Sequence, residues 1–165
     1  MTSTVRDRIL RSTDATGFGP PCTVAYIERA EPVPGRRLPG CLKEVYLEVD
    51  GSRGPLGIGA LWRLRGEGDA AMAGYNVALR TEFGVPSWAA DATWYGDDGD
   101  DGDDGVGGVG GVGGMYGLRP DVPGVIRWIQ ADHEDDVVVA PDIFAAWAGL
   151  QAGYTAARAF SENRG

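Results

Sequence analysis

Reactive side chains are scarce in this sequence. Among its 165 residues there are two cysteines, Cys22 and Cys41, and one histidine, His133. The cysteines form no CxxC pair and carry no signature of a catalytic thiol, and His133 has no serine or cysteine near it in the sequence. We therefore expect a protein that is not an enzyme. Two cysteines are too few for a disulfide framework and the first residues contain no long apolar leader, so we expect a cytoplasmic location.

Basic residues and long apolar runs are also few. The chain has 15 Lys and Arg against 24 Asp and Glu, a formal net charge of −9. Affinity for nucleic acid depends on Lys and Arg that neutralise phosphates, and a membrane-spanning helix needs about eighteen or more consecutive apolar residues, which are absent here. We expect neither nucleic acid nor a membrane as a partner. A basic protein is the better electrostatic match.

Glycine, by contrast, is abundant, whereas the rest of the composition is that of a globular domain. Hydrophobic residues make up 43% and charged residues 24% of the chain, which are globular proportions. Many of the 27 glycines fall in one segment, GDDGDDGDDGVGGVGGVGG at residues 96–114. A chain of this length can bury about two-thirds of its unfolded surface in one core. We predict a single domain over residues 1–165.

Five segments have the capping residues or apolar spacing of helices. A capping box opens a short helix over residues 4–12, and a second short helix over 23–31 ends before two prolines. A third helix is predicted to end at Gly51 as its left-handed cap. Its apolar face is formed by Leu42, Val45, Tyr46 and Val49. A fourth helix is predicted over 70–83, and a fifth has Pro141 in its first turn.

Other runs have the composition of strands. Alternating apolar residues predict a strand over 56–64, and four shorter β-rich runs follow at 93–95, 115–118, 125–129 and 137–140. The short connections favour antiparallel neighbours. The sequence thus predicts an α+β domain with helices packed against a mostly antiparallel sheet. Its expected core contains Leu42, Val45, Tyr46, Val49, Trp62, Leu79, Ile126, Trp128, Phe144 and Trp147.

Two clusters of carboxylates are possible cation sites. Residues 96–114 repeat every three positions, which matches neither an EF-hand loop nor a calcium-binding β-roll. We predict a flexible, solvated loop there instead. Residues 132–136 place His133 beside four carboxylates, but a polar turn between two strands accounts for this composition. We expect no metal and no cofactor.

Short motifs follow one another in an order typical of a known family. They are GFGPP at 17–21, RRLPGCLKEVYLEVDG at 36–51, YGDDG at 95–99, MYGLRPD at 115–121 and VVVAPDIFAAW at 137–147. This order resembles the SUKH superfamily, which includes the fungal cell-wall synthesis regulator and many bacterial immunity proteins. In that family a Leu-Pro, here residues 38–39, starts a helix, and a late helix carries a Phe, here Phe144. The Asp/Gly triplets resemble an insertion into the family's Gly-Asp-Gly turn, and Pro32, Pro34 and Gly40 depart from the family pattern.

The resemblance implies a SUKH-like fold and a non-enzymatic protein-binding function. Most often this is an immunity protein that neutralises a cognate toxin by direct contact, and the acidic charge fits a basic toxin. The residues expected to attract the partner are Asp97, Asp98, Asp100, Asp101, Asp103 and Asp104. One alternative is a regulatory scaffold domain like the fungal member. The other is a carboxylate-dependent hydrolase or metal enzyme, which would require convergence of Asp97, Asp98, Asp132 and His133 in one pocket.

Overall fold

The computed structural model describes residues 3–13, 17–52, 61–66, 71–97, 114–129 and 137–162. Within these ranges the chain forms five α-helices and four β-strands. In chain order they are α1 (Val5–Ser12), α2 (Val24–Arg29), α3 (Gly40–Tyr46), α4 (Met72–Thr81), β1 (Thr93–Asp97), β2 (Gly114–Leu118), β3 (Val125–Ile129), β4 (Val137–Ala140) and α5 (Ile143–Glu162). A short 3-10 helix, Ser87–Ala89, precedes β1. None of the described helices is long and apolar enough to cross a membrane.

The four strands form one antiparallel sheet in the order β1-β2-β3-β4. The predicted α+β class and the antiparallel pairing of neighbouring strands are therefore confirmed. The register pairs Asp97 with Met115, Gly114 with Ile129 and Arg127 with Val137. The end of β1, the start of β2, the end of β3 and the start of β4 consequently lie at the same end of the sheet.

The first helix begins as its sequence predicts. The Thr4 hydroxyl accepts a hydrogen bond from the Asp7 backbone N–H, and the Asp7 carboxylate accepts one from the Thr4 N–H, each at 3.1 Å. This reciprocal capping box satisfies two backbone donors that a helix N-terminus otherwise leaves unpaired. α1 ends at Ser12, as expected, and it packs on α3 and α5.

Two predicted helix boundaries are wrong. α3 ends at Tyr46, not at Gly51, although a backbone bond from Val49 N–H to the Val45 carbonyl adds one further turn. Gly51 does have a left-handed backbone, with φ of 76°, but a Cβ there would lie 2.5 Å from the Arg63 side chain. Close approach of two chain segments therefore explains this glycine better than helix capping. Pro141 lies before α5, which begins at Ile143.

The predicted strand over 56–64 is not found in its described part. Residues 61–64 form only an isolated bridge, between Leu61 and Ser52, and residues 53–60 lie outside the described ranges. Leu61 and Trp62 are both buried although they are adjacent, so alternation fails at this point.

The core fills the space between the sheet and the helices. Every expected core residue except Phe144 is buried, and so are two β1 residues, Trp94 and Tyr95, that were not assigned to it. Phe144 is half-buried because it lies near the surface, where the Arg8 guanidinium stacks 3.9 Å from its ring centroid. The described residues of β1 from Thr93 to Gly96 are all buried, so the sheet is covered on both faces there.

Candidate functional site

The residues expected to attract a partner begin at the end of β1. Asp97 is half-buried, and its carboxylate accepts a hydrogen bond from the Trp62 indole Nε1. The predicted loop over 96–114 is therefore shorter than expected, because residues 96 and 97 belong to β1 and Gly114 to β2. The other predicted residues, Asp98, Asp100, Asp101, Asp103 and Asp104, lie outside the described ranges.

The topology joins two acidic segments to the same end of the sheet. Residues 97–104 connect directly to β1, and residues 132–136 lie between β3 and β4, next to the first residue of β4. These two segments contain ten of the 24 acidic residues and none of the 15 basic ones. The rest of the chain then has 14 acidic and 15 basic residues, a formal charge of +1. We call this end of the sheet, marked by Asp97, Gly114, Ile129 and Val137, the acidic end.

A metal or hydrolase site is not assembled by the described part of the chain. No group of three or more His, Cys, Asp or Glu side chains close enough to hold a metal occurs there. Of the four residues that the hydrolase alternative requires, only Asp97 is described, and its carboxylate binds the Trp62 indole. Asp98, Asp132 and His133 lie outside the described ranges, so their convergence stays untested.

The two cysteines are free thiols. Burial, with a smaller contribution from the nearby Asp50 carboxylate, raises the pKa of the Cys22 thiol to about 11. Burial also raises the pKa of Cys41. Because the thiolate and not the thiol is the nucleophile, the raised pKa makes Cys22 a weak nucleophile at neutral pH.

An ion pair between the buried Asp50 and the partly exposed Arg65 fixes the chain segment after Leu61, and the sequence patterns did not reveal it. Asp50 is buried, and its Oδ1 accepts the Leu64 backbone N–H at 2.6 Å while its Oδ2 accepts Arg65 Nε at 3.0 Å. Arg65 also donates to the carbonyls of Pro20 and Pro21. All of these partners are internal, which indicates a structural role. The only indication of this ion pair in the sequence is that Asp50 directly follows the core residue Val49.

The outer edge of β1 is closed by a side-chain amide. Asn76, fully buried on α4, accepts the Trp94 backbone N–H at 3.0 Å through Oδ1 and donates to the Trp94 carbonyl at 2.7 Å through Nδ2. One residue along, the Trp62 backbone N–H donates to the Tyr95 carbonyl at 2.8 Å. The backbone groups that a neighbouring strand would use are thus already bonded.

The outer edge of β4 is different. Among the described residues no segment pairs with that edge, and Val138 and Val139 are 46% and 41% exposed. The strand contains only Val and Ala, and it begins at the acidic end, directly after Asp136. Within the described ranges an apolar strand edge thus has no paired segment, and in the sequence it directly follows the acidic residues 132–136.

The chain was also compared with known proteins. No protein-family model, no curated protein and no solved structure matches it.

Proposed function

We propose that this chain is a non-enzymatic immunity protein that binds and neutralises a basic toxin domain. The observation that carries the proposal is the position of its charge. The two segments joined to the acidic end contain ten carboxylates, whereas the remainder of the chain has a formal charge of +1. In this proposal the concentrated negative charge attracts a basic partner by long-range electrostatic steering.

Steering of this kind is worth most to a protein that must capture its partner quickly. Complementary charge raises association rates from about 10⁵–10⁶ M⁻¹s⁻¹ toward about 10⁸–10⁹ M⁻¹s⁻¹ at low salt, and it also disfavours partners of the same sign. A neutraliser of a toxin gains directly from a fast encounter. Nucleic acid, being an anion, is repelled by the same end.

The resemblance to the SUKH superfamily supports the same proposal. In the structure α3 begins directly after the Leu-Pro at 38–39, and Phe144 lies in α5. A regulatory scaffold domain would have the same fold and could use the same acidic end for a host protein. The two functions differ in the partner, and the test below separates them.

The test is co-expression with the toxin domain encoded by the gene beside this chain's own. We expect the chain to restore growth and to bind the purified toxin domain with one-to-one stoichiometry in calorimetry. Rescue without binding, or neither, would contradict the proposal. Binding to a host protein alone would favour the scaffold function, and substrate turnover abolished by Asp132→Asn or His133→Ala would favour the hydrolase.

A further inference from the structure

Three arginines from distant parts of the chain meet at one turn, residues 90–92, which lies between the 3-10 helix and β1. Arg36 Nη1 donates to the Asp91 carbonyl at 2.5 Å. Arg80 donates to the carbonyls on either side of it, through Nε at 3.3 Å to residue 90 and through Nη2 to residue 92. Arg119 Nε lies 3.6 Å from the Asp91 carboxylate. Three guanidinium groups are therefore concentrated around a turn that contains one acidic side chain.

The carboxylates at this turn pair with only one of the three arginines. Arg119 forms ion pairs with Asp91 and, at 3.2 Å, with Asp121. In the described part of the chain neither Arg36 nor Arg80 forms an ion pair with a carboxylate. Burial and, to a smaller extent, the nearby Arg36 charge lower the pKa of the Arg80 guanidinium, while Asp91 acts in the opposite direction. Two positive charges without a paired carboxylate thus lie close to each other.

The two arginines differ in the donors that they can offer to a ligand. All three side-chain nitrogens of the half-buried Arg80 already donate to oxygens of residues 76, 90 and 92. Arg36 is exposed, and among the described residues its Nε and Nη2 have no acceptor. These two nitrogens form one edge of the planar guanidinium fork, which matches two oxygens of a single anion. Arg36 can therefore bind an anion, whereas Arg80 can fix the turn and add charge.

The charge of this pair favours a phosphate group over a carboxylate. A phosphate monoester has a charge of about −1.5 to −2 at pH 7, which matches two unpaired guanidinium groups, whereas a carboxylate has a single charge. Contacts between arginine and phosphate are also frequently bidentate, which suits the unused edge of Arg36.

We propose that the arginine turn, formed by Arg36, Arg80, Arg119 and residues 90–92, is a binding site for a phosphate group, either inorganic phosphate or a phosphate monoester. Arg36 binds the phosphate oxygens. Arg80 is a positioning residue that holds the turn and supplies the second positive charge, and Arg119 stays paired with its two carboxylates. The inference is independent of the proposed function, because none of these residues belongs to the two acidic segments.

The experiment is a titration of the isotope-labelled full chain with inorganic phosphate at constant ionic strength, followed through the backbone amide resonances. We expect saturable shifts at residue 36 and residues 90–92. Arg36→Gln should weaken binding by at least about tenfold, because it removes a bidentate contact to a charged group. The matched control is Arg37→Gln, which removes the same charge from the adjacent exposed arginine and should stay within about twofold of the unsubstituted chain.

Two further ligands distinguish the source of the phosphate group. Tighter binding of O-phosphoserine than of inorganic phosphate would assign the site to an esterified phosphate, and the reverse order would assign it to the free ion. Acetate bound as tightly as phosphate would contradict the phosphate assignment.

Three results would overturn the site itself. They are shifts that do not saturate, shifts centred away from residues 36 and 90–92, and equal affinity of phosphate for the Arg36→Gln and unsubstituted chains. Melting curves verify that both variants fold. If Arg36→Gln is unfolded, the location and saturation of the shifts in the unsubstituted chain still decide the outcome.

Discussion

The backbone N–H and C=O groups at the two outer edges of the sheet differ in their hydrogen-bond partners. At β1, the backbone groups of Trp94 are bonded by the Asn76 side chain and the Tyr95 carbonyl by the Trp62 amide. At β4, two exposed valines border an edge that no described segment covers. An unpaired buried backbone group costs about 1–3 kcal/mol, which explains why the buried edge is closed so thoroughly. Water can satisfy backbone groups at an exposed edge, so the part of β4 that no described segment covers does not require such closure.

The largest effect is expected where α5 packs against the β4 side of the domain. Trp147 is buried and in edge-to-face contact with Phe144, at a centroid distance of 5.9 Å. Trp147→Ala should lower the free energy of unfolding by about 3–5 kcal/mol, measured by urea denaturation. Phe144→Ala is the matched control and should cost about half as much, because the ring is only half-buried. A loss below about 1 kcal/mol for Trp147→Ala would mean that the helix is peripheral.

The next largest effect should come from opening the β1 edge. Asn76→Ala leaves the N–H and the carbonyl of Trp94 buried without their partner, so we expect a loss of about 2–4 kcal/mol in urea denaturation. Val77→Ala, at an exposed position of the same helix, should change stability by less than about 0.5 kcal/mol. If both variants are equally stable, the side-chain amide does not close the edge.

The reactivity of the Cys22 thiol probes the β1 side of the domain, and it can be measured without substituting Cys22. Its pKa of about 11, against an ordinary 9.0, lowers the thiolate fraction at pH 8 by about 100-fold, and its side chain is buried. In a Cys41→Ser variant, alkylation of Cys22 by iodoacetamide should be at least about 100-fold slower in buffer than in concentrated urea. Rapid alkylation in buffer would show that the segment around Asp50 and Arg65 opens readily.

The smallest effect is expected from shortening the connection between β1 and β2. Deleting residues 100–113 leaves Asp98-Gly99 before Gly114, and loop-closure entropy changes by only about 0.6 kcal/mol per doubling of length. We expect the free energy of unfolding to change by less than about 1 kcal/mol. Calorimetric titration of the full chain should show no calcium site tighter than about millimolar. A micromolar calcium site that is lost with the deletion would contradict the interpretation of this segment as a loop.

Local features of the fold could be predicted from the sequence, whereas contacts between distant segments could not. The capping box at Thr4 and the four short strands follow from residue types at neighbouring positions, and the structure confirms them. The closure of β1 by Asn76 depends on residues eighteen positions apart, and no local pattern marks it. The same holds for the bonds from Leu64 and Arg65 to Asp50. The sequence predicted Gly51 as a helix cap, whereas the structure places it at a close approach to Arg63. Both situations favour glycine, so the residue type alone does not distinguish them.

The candidate site was predictable only in its composition. The acidic residues of segments 97–104 and 132–136 stand out in the sequence, but their attachment to the same end of the sheet follows from strand register, which no single segment reveals. Of the six predicted residues the described ranges include only Asp97, which is half-buried and accepts a hydrogen bond from the Trp62 indole.

The central claim is that the position of the negative charge, and not only its amount, governs partner capture. The most direct test compares two triple variants that remove the same charge. One is Asp100→Asn with Asp101→Asn and Asp103→Asn, in the acidic segment that follows β1 in the sequence. The other changes three exposed glutamates on or next to α2, α3 and α4 to glutamine, namely Glu28, Glu44 and Glu82.

Stopped-flow association with the toxin domain is measured for both at low and high ionic strength. We predict that the acidic-end triple slows association by about threefold or more at low ionic strength and much less at high ionic strength, with dissociation nearly unchanged. The glutamate triple should change association only slightly. Equal slowing by the two triples would show that net charge alone matters, and no slowing by either would contradict the steering account.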